Sequence, residues 1–265
     1  MPNLSVAYIT CNAARCFADS LASITDLTDD IVVVDSGSSD DTLVIADRFG
    51  ARIQSRAWPG FGPQKQFAVE QATNDWVLIL DADELLLPEA VRTIKTALAS
   101  GNPPAAFLLP RYNFFHGKRI RFGDWGRDAV LRLVNRQHGR YSNDVVHERW
   151  MADGEIRRLQ APIAHYSFEN YKAMLAKLDQ YSDLNARALV ERGRRVNRRD
   201  PLLHALAAFL KGYVFRLGFL DGSEGAGIAL TTALGSFMKY AKALELQQSI
   251  SATASAMPVK QKSQS

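Results

Sequence analysis

The N-terminal part of the chain alternates short apolar runs with segments of mixed polarity. Continuous apolar, β-branched runs of this kind are typical of strands buried on both faces of a parallel sheet. The intervening helical segments fit right-handed crossovers between such strands. We therefore predict an α/β fold with a mostly parallel sheet flanked by helices. The predicted strands are Leu4–Ile9, Ile31–Val34, Ala51–Gln54, Trp76–Leu80 and Ala105–Tyr112.

The pattern changes twice further along the chain. From Arg119 to Trp150, shorter alternating segments predict antiparallel strands and loops at the edge of the sheet. From Tyr171 onward, apolar residues recur at helical spacing, which predicts a helical extension. These changes divide the chain into three parts, namely a sheet domain, a helical region and a disordered tail, at residues 1–168, 169–250 and 251–265.

The helical region combines apolar faces with a basic flank. Arginines crowd into residues 192–199, and Lys211, Arg216, Lys239 and Lys242 follow on the helices. Such helices can lie in a membrane interface, with their basic residues against anionic lipid head groups. They can equally pack together as a second core, and the sequence leaves both interpretations open.

The fourth predicted strand runs directly into Asp81-Ala82-Asp83-Glu84. Side chains two apart on a strand point the same way, so Asp81 and Asp83 can face one site at its carboxyl end, where open α/β sheets bind ligands. Paired carboxylates there suit a hard divalent cation that is shared with substrate phosphates. The alternative is that Asp83 and Glu84 cap the helix that Pro88 helps to start.

The second predicted strand also ends in a carboxylate, Asp35. We expect Ser38 or Ser39 to cap the following helix, with Asp40 and Asp41 in its first turn. Those acids disfavour a phosphate on that helix, and the chain has neither a G-x-G-x-x-G motif nor a Walker loop. Asp35 is therefore expected to bind a neutral group, such as a base or a ribose, although it could instead stabilise the turn.

A further polar group lies within Val145–Arg149. Adjacent residues on a strand, here His147 and Glu148, point to opposite faces. A neutral imidazole can bind a metal, and a carboxylate can act as a general base. The alternative is that Glu148 pairs with Arg149 or Arg132 on the surface.

Composition narrows the class of protein. The 265 residues are 47% hydrophobic and 23% charged, as in ordinary globular proteins, and a net charge of +4 supports an anionic partner only weakly. Cysteine occurs only at Cys11 and Cys16, so we expect a reducing, cytoplasmic compartment without disulfides. Neither a signal peptide nor a spanning helix is predicted, and we expect no nucleic-acid partner.

Together these motifs resemble a known family. The chain resembles family 2 glycosyltransferases of the GT-A fold at three places: Asp35, Ser38–Thr42 and Leu80–Glu84. It is also similar to bacterial lipopolysaccharide core β-1,4-glucosyltransferases at Gly60–Lys65, Leu131–Leu133, Val146–Glu148 and Leu217–Gly222. The resemblance implies a Rossmann-like GT-A domain that binds a nucleotide sugar, with a C-terminal helical extension.

The same resemblance implies an activity. We expect an inverting transfer from a UDP-sugar, with UDP-glucose as the expected donor, to a lipopolysaccharide inner-core or related glycolipid acceptor. Such an enzyme would be cytoplasmic and peripheral on the inner face of the membrane, where it could contact an anionic lipid surface. Bound Mg²⁺ or Mn²⁺ would stabilise charge on the UDP leaving group.

Residue roles follow from the matched motifs. The expected nucleotide-sugar-binding residues are Thr10, Asn12, Asp35, Lys65, Asp81 and Arg132. The expected metal ligands are Asp81, Asp83 and His147, although His147 could instead orient the acceptor. Lys65 and Arg132 are candidates for contacts with the donor diphosphate or an acceptor phosphate.

The general base is left open, because the chain departs from the commoner Glu-Asp base motif of the family. We rank Glu148 first, Asp128 second and Asp124 third. The alternative functions are a transferase for a capsular or lipid-linked glycan and a non-catalytic nucleotide-sugar-binding module. A sugar-phosphate nucleotidyltransferase is disfavoured, because the segment Thr10–Arg15 lacks the glycine-rich basic loop that it would need.

Overall fold

The computed structural model describes residues 3–142 and 148–256. These residues form two compact units. The first unit contains the chain up to Arg119 together with 127–167, and the second contains 120–126 together with the chain from Phe168. A short segment that lies inside the first unit in sequence therefore belongs to the second.

The first unit is built from strands and short helices. Its helices are α1 (Ala14–Ala22), α2 (Thr42–Arg48), α3 (Phe61–Glu70) and α4 (Pro88–Leu98). Its strands are β1 (Leu4–Thr10), β2 (Asp30–Asp35), β3 (Arg52–Ser55), β4 (Trp76–Asp81), β5 (Glu84–Leu86), β6 (Ala106–Phe115), β7 (Lys118–Arg119), β8 (Asp128–Asn135), β9 (Gly139–Tyr141), β10 (Trp150–Ala152), β11 (Ile156–Arg158) and β12 (Ile163–His165).

Most of these strands form one sheet. Its main path in the described residues runs β3-β2-β1-β4-β8-β6-β12-β5, and β7 and β11 pair with β6. The strands β1 to β4 are parallel, whereas β8 runs antiparallel between β4 and β6. The α/β class predicted from the sequence, with a mostly parallel sheet flanked by helices, is confirmed.

Burial on both faces explains the continuous apolar runs. On β1, Val6 and Tyr8 pack in the core that contains Phe17 of α1, whereas Ala7 packs in the core that contains Val69 of α3. Alternate side chains of a strand point to opposite faces, so both parities must be apolar when helices cover both faces. The continuous apolar runs in the sequence therefore result from burial of these strands on both faces.

Helix α2 begins later than the sequence predicted. Its first residue is Thr42, so Asp40 and Asp41 precede the helix and the expectation that they lie in its first turn is wrong. Asp40 instead accepts hydrogen bonds from Thr42 N at 3.0 Å and from Ala14 N at 3.1 Å. Neither Ser38 nor Ser39 caps the helix, because the residue at its N-cap is Asp41, and the Ser38 hydroxyl donates to Asp35 at 2.5 Å instead.

The second unit is helical. It contains α5 (Tyr171–Glu191), α6 (Asp200–Phe209), a π-helical segment (Leu210–Phe215), a 3₁₀ turn (Gly218–Asp221) and α7 (Gly222–Ala256). The α-helix α6 thus continues directly into the π-helical segment at Leu210. Residues 257–265, the rest of the predicted tail, lie outside the described part of the chain.

Helix α7 begins at Gly222, and glycines in its first turns allow close packing. A Cβ at Gly227 would lie 2.3 Å from the Tyr171 hydroxyl, and a Cβ at Gly225 would lie 1.9 Å from the Gly218 carbonyl oxygen. These distances are shorter than real Cβ contacts, so the close approach of the backbones requires glycine.

A buried carboxylate holds the segment 120–126 in the second unit. Asp221 is 3% exposed and accepts hydrogen bonds from the backbone amides of Arg121 at 3.0 Å and Phe122 at 2.8 Å. Asp124 in the same segment pairs with Arg216 at 2.5 Å. The segment is thus attached by side chains that come about 100 residues later in the sequence.

The helices of the second unit share a small core around Ala186, Val196, Tyr240 and Ala243. No single helix among the described residues is long and apolar enough to cross a membrane. One pair, Asp200–Phe215 and Gly218–Ile250, passes on length and composition only when its two parts are combined across a 68° bend.

Asp30 joins neighbouring strands of the first unit. Its carboxylate accepts hydrogen bonds from Ser5 on β1 at 2.5 Å, Arg52 on β3 at 2.7 Å and Thr73 N before β4 at 2.9 Å. Burial alone would raise the pKa of Asp30, but these hydrogen bonds outweigh it and lower the pKa from 3.8 to about 2. Because the native pKa lies below the unfolded value, the stabilisation is present above about pH 4 and is lost as the pH falls towards 2.

We expect Asp30→Asn to lower the free energy of unfolding at pH 7 by about 1 kcal/mol, since solvent screens part of the interaction. The difference from the unmodified protein should shrink between about pH 4 and pH 2, where the native aspartate becomes neutral. Urea unfolding followed by circular dichroism at several pH values measures it. Asp47→Asn, at an exposed acid, should change the stability by less than about 0.5 kcal/mol. A difference for Asp30→Asn that stayed constant down to pH 2 would contradict the assignment.

Candidate functional site

The carboxyl ends of three neighbouring parallel strands meet at one edge of the sheet. In the register of the sheet, Thr10 at the end of β1 lies beside Asp35 at the end of β2, and Ile9 lies beside Asp81 at the end of β4. The polar residues expected to bind a nucleotide sugar are therefore neighbours. Open α/β sheets bind ligands at this edge.

Asp35 is enclosed by local donors. It is 1% exposed, and its two oxygens accept hydrogen bonds from Thr10 Oγ1, Gly37 N and Ser38 N at 2.8 Å each and from Ser38 Oγ at 2.5 Å. Burial raises its pKa, but these donors outweigh burial and leave the pKa below its ordinary value. Four donors match the acceptor capacity of a carboxylate, so the structure gives Asp35 the turn-stabilising role that the sequence had left open. Contact with a nucleoside stays a prediction.

Asn12 connects the loops that follow β1 and β2. Its backbone amide donates to Ser38 Oγ, and its side-chain oxygen accepts from Ser39 N, both at 2.8 Å. Asn12 has a positive φ of 51°, a conformation that asparagine tolerates better than most residues. The residue is exposed at the candidate site, where its role in donor binding is also still a prediction.

Asp81 is bound by two buried cations. Arg132 donates to Asp81 Oδ2, and Lys65 Nζ lies 3.2 Å from Oδ1. Burial raises the pKa of Asp81, but Arg132 and Lys65 outweigh it and hold the pKa well below its ordinary range. Lys65 also donates to Glu148 Oε1 at 2.9 Å, so one ammonium group joins the strand-end aspartate to the first-ranked base.

Glu84 lies at the centre of the charges and is fully buried. Arg111 pairs with Glu84 Oε1 at 3.0 Å and Arg132 at 2.8 Å, while Oε2 accepts from Asp81 N at 3.0 Å. The alternative that Asp83 and Glu84 cap the following helix is wrong, because the residue at the N-cap of α4 is Leu87 and Glu84 belongs to β5. The carboxylate balances the arginines instead.

Asp128 extends the ion pairs along β8. It accepts from Arg111 Nε at 2.7 Å and from Asn113 Nδ2 at 3.2 Å, and Arg111 Nη2 lies 2.6 Å away. We call the connected set of alternating charges the charged network. Its members are Glu148, Lys65, Asp81, Arg132, Glu84, Arg111 and Asp128.

A histidine that the sequence analysis missed lies beside Asp83. His165 Nε2 at the end of β12 is 3.6 Å from Asp83 Oδ1. His165 Nδ1 lies 2.6 Å from Asn113 Oδ1. Because the Asn113 amide nitrogen faces Asp128, its oxygen must accept, so neutral His165 carries its proton on Nδ1 and a lone pair on Nε2. The only signal in the sequence was a histidine after a very short apolar run.

The electrostatics keep His165 able to bind a cation. Burial lowers its pKa, against the opposing effect of the Asp83 carboxylate, so the imidazole is neutral near pH 7. The Ser167 hydroxyl lies 2.7 Å from Nε2, and a cation would replace this hydrogen bond. His147, the histidine predicted as a ligand, lies outside the described residues.

The donor atoms fit Mg²⁺ or Mn²⁺ in part. Residues 3–142 and 148–256 contain no group of three or more His, Cys, Asp or Glu side chains arranged for a metal. Asp83 and His165 supply two donors at a separation that allows both to bind one ion. Mg²⁺ sites commonly take one or two protein ligands and complete the shell with water and substrate phosphates.

The third-ranked base, Asp124, is not a member of the charged network. Asp124 belongs to the second unit, where it pairs with Arg216 as described above. Glu148 and Asp128 both belong to the charged network of the first unit. The structure thus brings together most of the predicted site residues, and it adds Glu84, Arg111, Asn113 and His165 to them.

Comparison with known proteins identifies the family. The family model of glycosyl transferase family 2 matches residues 5–152, which is more than half of the chain. The chain belongs to glycosyl transferase family 2. The resemblance stated from the sequence motifs is therefore confirmed.

Relatives extend over nearly the whole chain. An uncharacterized glycosyltransferase of Rickettsia typhi is 29% identical over 93% of this chain and 88% of its own length. The lipopolysaccharide core biosynthesis glycosyltransferase LpsC of Rhizobium meliloti is 26% identical over 89% of this chain and 92% of its own length. The similarity thus includes the helical second unit.

Among solved structures, glucosyl-3-phosphoglycerate synthase from Mycobacterium tuberculosis, in complex with Mn²⁺ and UDP-glucose, is 26% identical to this chain. The match covers 42% of this chain and 43% of the other, with a TM-score of 0.35. A TM-score this low supports no inference about ligands.

We expect Glu84→Ala to destabilise the protein by about 3–5 kcal/mol, because it removes the buried carboxylate that Arg111 and Arg132 share and leaves their charges only partly compensated. Chemical denaturation followed by tryptophan fluorescence measures the change. Glu89→Ala removes an exposed acid from the first turn of α4 and should cost less than about 1 kcal/mol. Equal effects of the two substitutions would show that the network does not depend on Glu84.

Proposed function

We propose that the chain is an inverting glycosyltransferase that transfers glucose from UDP-glucose to a lipopolysaccharide inner-core sugar or a related glycolipid. Membership of glycosyl transferase family 2 supports sugar transfer in general. The relative named as a lipopolysaccharide core biosynthesis glycosyltransferase supports the acceptor class, since its similarity covers both units. The motifs that resemble core glucosyltransferases support the donor.

The observation that carries the proposal is the convergence of Asp81, Asp83 and His165 at one edge of the sheet. Asp83 and His165 would hold Mg²⁺ or Mn²⁺, and the bound ion would neutralise charge on the UDP leaving group. One imidazole beside a carboxylate favours Mn²⁺ over Mg²⁺, because Mg²⁺ prefers oxygen ligands alone. Asp81 is held by Lys65 and Arg132 and orients the strand end.

Lys65 and Arg132 therefore take a different role from the one that the motifs implied. Both are buried and each already binds two carboxylates. We propose that they position Asp81 and Glu148 and that they do not bind the diphosphate directly. Thr10, Asn12 and Asp35 shape the loops on which the uridine would lie.

Glu148 is the best candidate for the general base. Its carboxylate accepts from Lys65 through one oxygen, Oε1, and its side chain is 17% exposed. Asp128 belongs to the same network, but its Oδ2 is bound by two nitrogens of Arg111 and by Asn113, whereas Glu148 has Lys65 as its one donor among the described residues. A base needs an acceptor position that the substrate hydroxyl can reach.

The donor and the metal can be tested together. With Mn²⁺ and a panel of UDP-sugars, we expect UDP-glucose to be hydrolysed fastest. Asp83→Asn and His165→Ala should each reduce this rate at least about 100-fold, because the charge on the leaving group loses its counter-ion. They should also remove the Mn²⁺-dependent part of UDP affinity, measured by calorimetry.

Matched controls separate site effects from general ones. Asp47→Asn and His138→Ala change exposed residues of the same types and should leave both readouts unaltered. Full activity of Asp83→Asn in excess chelator would refute metal assistance. Fastest hydrolysis of another UDP-sugar would refute glucose as the donor without affecting the metal assignment.

The base assignment predicts a split between turnover and donor binding. Glu148→Gln should lower turnover with an inner-core lipopolysaccharide acceptor by about 10²–10⁴-fold and leave UDP affinity unchanged, because the base contacts only the acceptor. Steady-state kinetics and calorimetry measure the two quantities. If Glu148→Gln retained turnover while Asp128→Asn lost it at unchanged stability, Asp128 would be the base.

A further inference from the structure

The second unit exposes a continuous series of large apolar side chains. On α6, Leu202, Leu203 and Leu206 are 68%, 59% and 54% exposed. Leu210 and Phe215 of the π-helical segment follow at 38% and 77%. Further exposed members at the turn and its flanks are Val214, Leu217, Phe219 and Leu220. Contiguous exposed apolar surface of this kind marks an interaction site, whereas single exposed apolar residues are ordinary.

The opposite side of the same helices is packed. Pro201 and Gly212 are buried, and His204 of α6 stacks on Tyr240 of α7 with ring centroids 3.9 Å apart. The helix α6 therefore already has a partner within its unit. We call the outer face, from Leu202 to Leu220, the apolar surface. The second-core interpretation of the sequence accounts only for the inner face.

A dense group of cations precedes the apolar surface directly. Its members are Arg192, Arg194, Arg195, Arg198 and Arg199, and all five are exposed. None of them forms an ion pair with an acid in the part of the chain that the structure describes. Arg192 and Arg194 also act on Lys239 of α7, whose pKa is lowered by partial burial and by these two guanidinium groups. Positive charge is thus concentrated here without internal compensation.

We infer that the apolar surface and the arginine group together bind the interface of an anionic phospholipid bilayer. The α6 helix would lie in the plane of the interface with its leucines among the acyl chains, and the arginines would contact the lipid phosphates. This binding is independent of the proposed sugar transfer.

The charges favour a bilayer over a second copy of the chain. A symmetric dimer uses the same patch on both subunits, so it would offer the arginine group no acidic counterpart. Anionic head groups supply that negative charge. Charge complementarity therefore selects the lipid partner.

The experiment uses the full chain with sedimented vesicles of phosphatidylcholine, with or without phosphatidylglycerol. We expect binding to the anionic vesicles and little binding to the neutral ones. The triple variant Leu202→Ser, Leu203→Ser, Leu206→Ser should lower the partition coefficient at least about tenfold, because it removes the inserting side chains. Val44→Ser with Ile156→Ser, at exposed apolar residues of the first unit, should have no effect.

The charge contribution is measured in the same assay. Arg195→Ala, Arg198→Ala, Arg199→Ala together should lower the partition coefficient at low salt by on the order of 100-fold, and salt should weaken binding of the unmodified protein. Replacing the exposed Arg48, Arg92 and Arg140 of the first unit by alanine removes the same charge and should have a much smaller effect.

Two results would overturn the inference. The first is equal binding of the leucine variant and the unmodified protein, with circular dichroism showing that both are folded. The second is a dimer in analytical ultracentrifugation without vesicles that the leucine substitutions convert to a monomer, together with no vesicle binding. That result would assign the apolar surface to a second copy of the chain.

Discussion

A carboxylate that water cannot reach stays charged only if cations replace its hydration, and Glu84 imposes this condition on the first unit. The compensating cations, Arg111 and Arg132, come from β6 and β8, which lie side by side in the sheet. A one-residue slip of β8 would turn Arg132 to the other face and leave Glu84 with only one of these two cations. Electrostatics and strand register therefore depend on each other at this edge of the sheet.

The same ions make the two aspartates of the Asp-x-Asp sequence unequal. Asp81 is enclosed by Lys65 and Arg132, whereas Asp83 faces His165. Asn113 connects the charged network to His165. Its amide nitrogen donates to Asp128, and its oxygen accepts from His165 and thereby fixes the proton on Nδ1. The imidazole is thus oriented by the network that also neutralises Glu84. A substitution on β6 or β8 that disturbs the charged network would therefore alter the orientation of His165, even if the substituted residue does not contact Asp83 or His165.

The strands and the sheet edge could be predicted because burial on both faces leaves a continuous apolar record, as in β1 and β4. Contacts between side chains that are distant in the sequence leave no comparable pattern. His165 is the last residue of a strand of three residues, too short for a period to be recognised, and lies beside Asp83 only after β12 has joined β6 and β5. Glu84 resembled a helix cap in the sequence because it precedes Pro88. Its burial could not be predicted, because the arginines that compensate its charge come much later in the chain. The position of Asp35 at the end of β2 could be predicted. Its four hydrogen-bond donors could not, because they depend on the conformation of the turn that follows.

The segment 120–126 has a consequence for biosynthesis. During translation, Arg121 and Phe122 leave the ribosome about a hundred residues before Asp221, the carboxylate that accepts from their backbone amides. The first unit can complete its sheet once residue 167 has emerged. The segment 120–126 cannot form its own contacts until the last helices have been synthesised. A nascent chain at that stage displays polar backbone and neighbouring aromatic residues that only the finished protein covers. We therefore expect the chain to depend on chaperones mainly late in synthesis. A chain that ends before Asp221 would keep the sheet of the first unit but would lack the carboxylate that holds the segment 120–126.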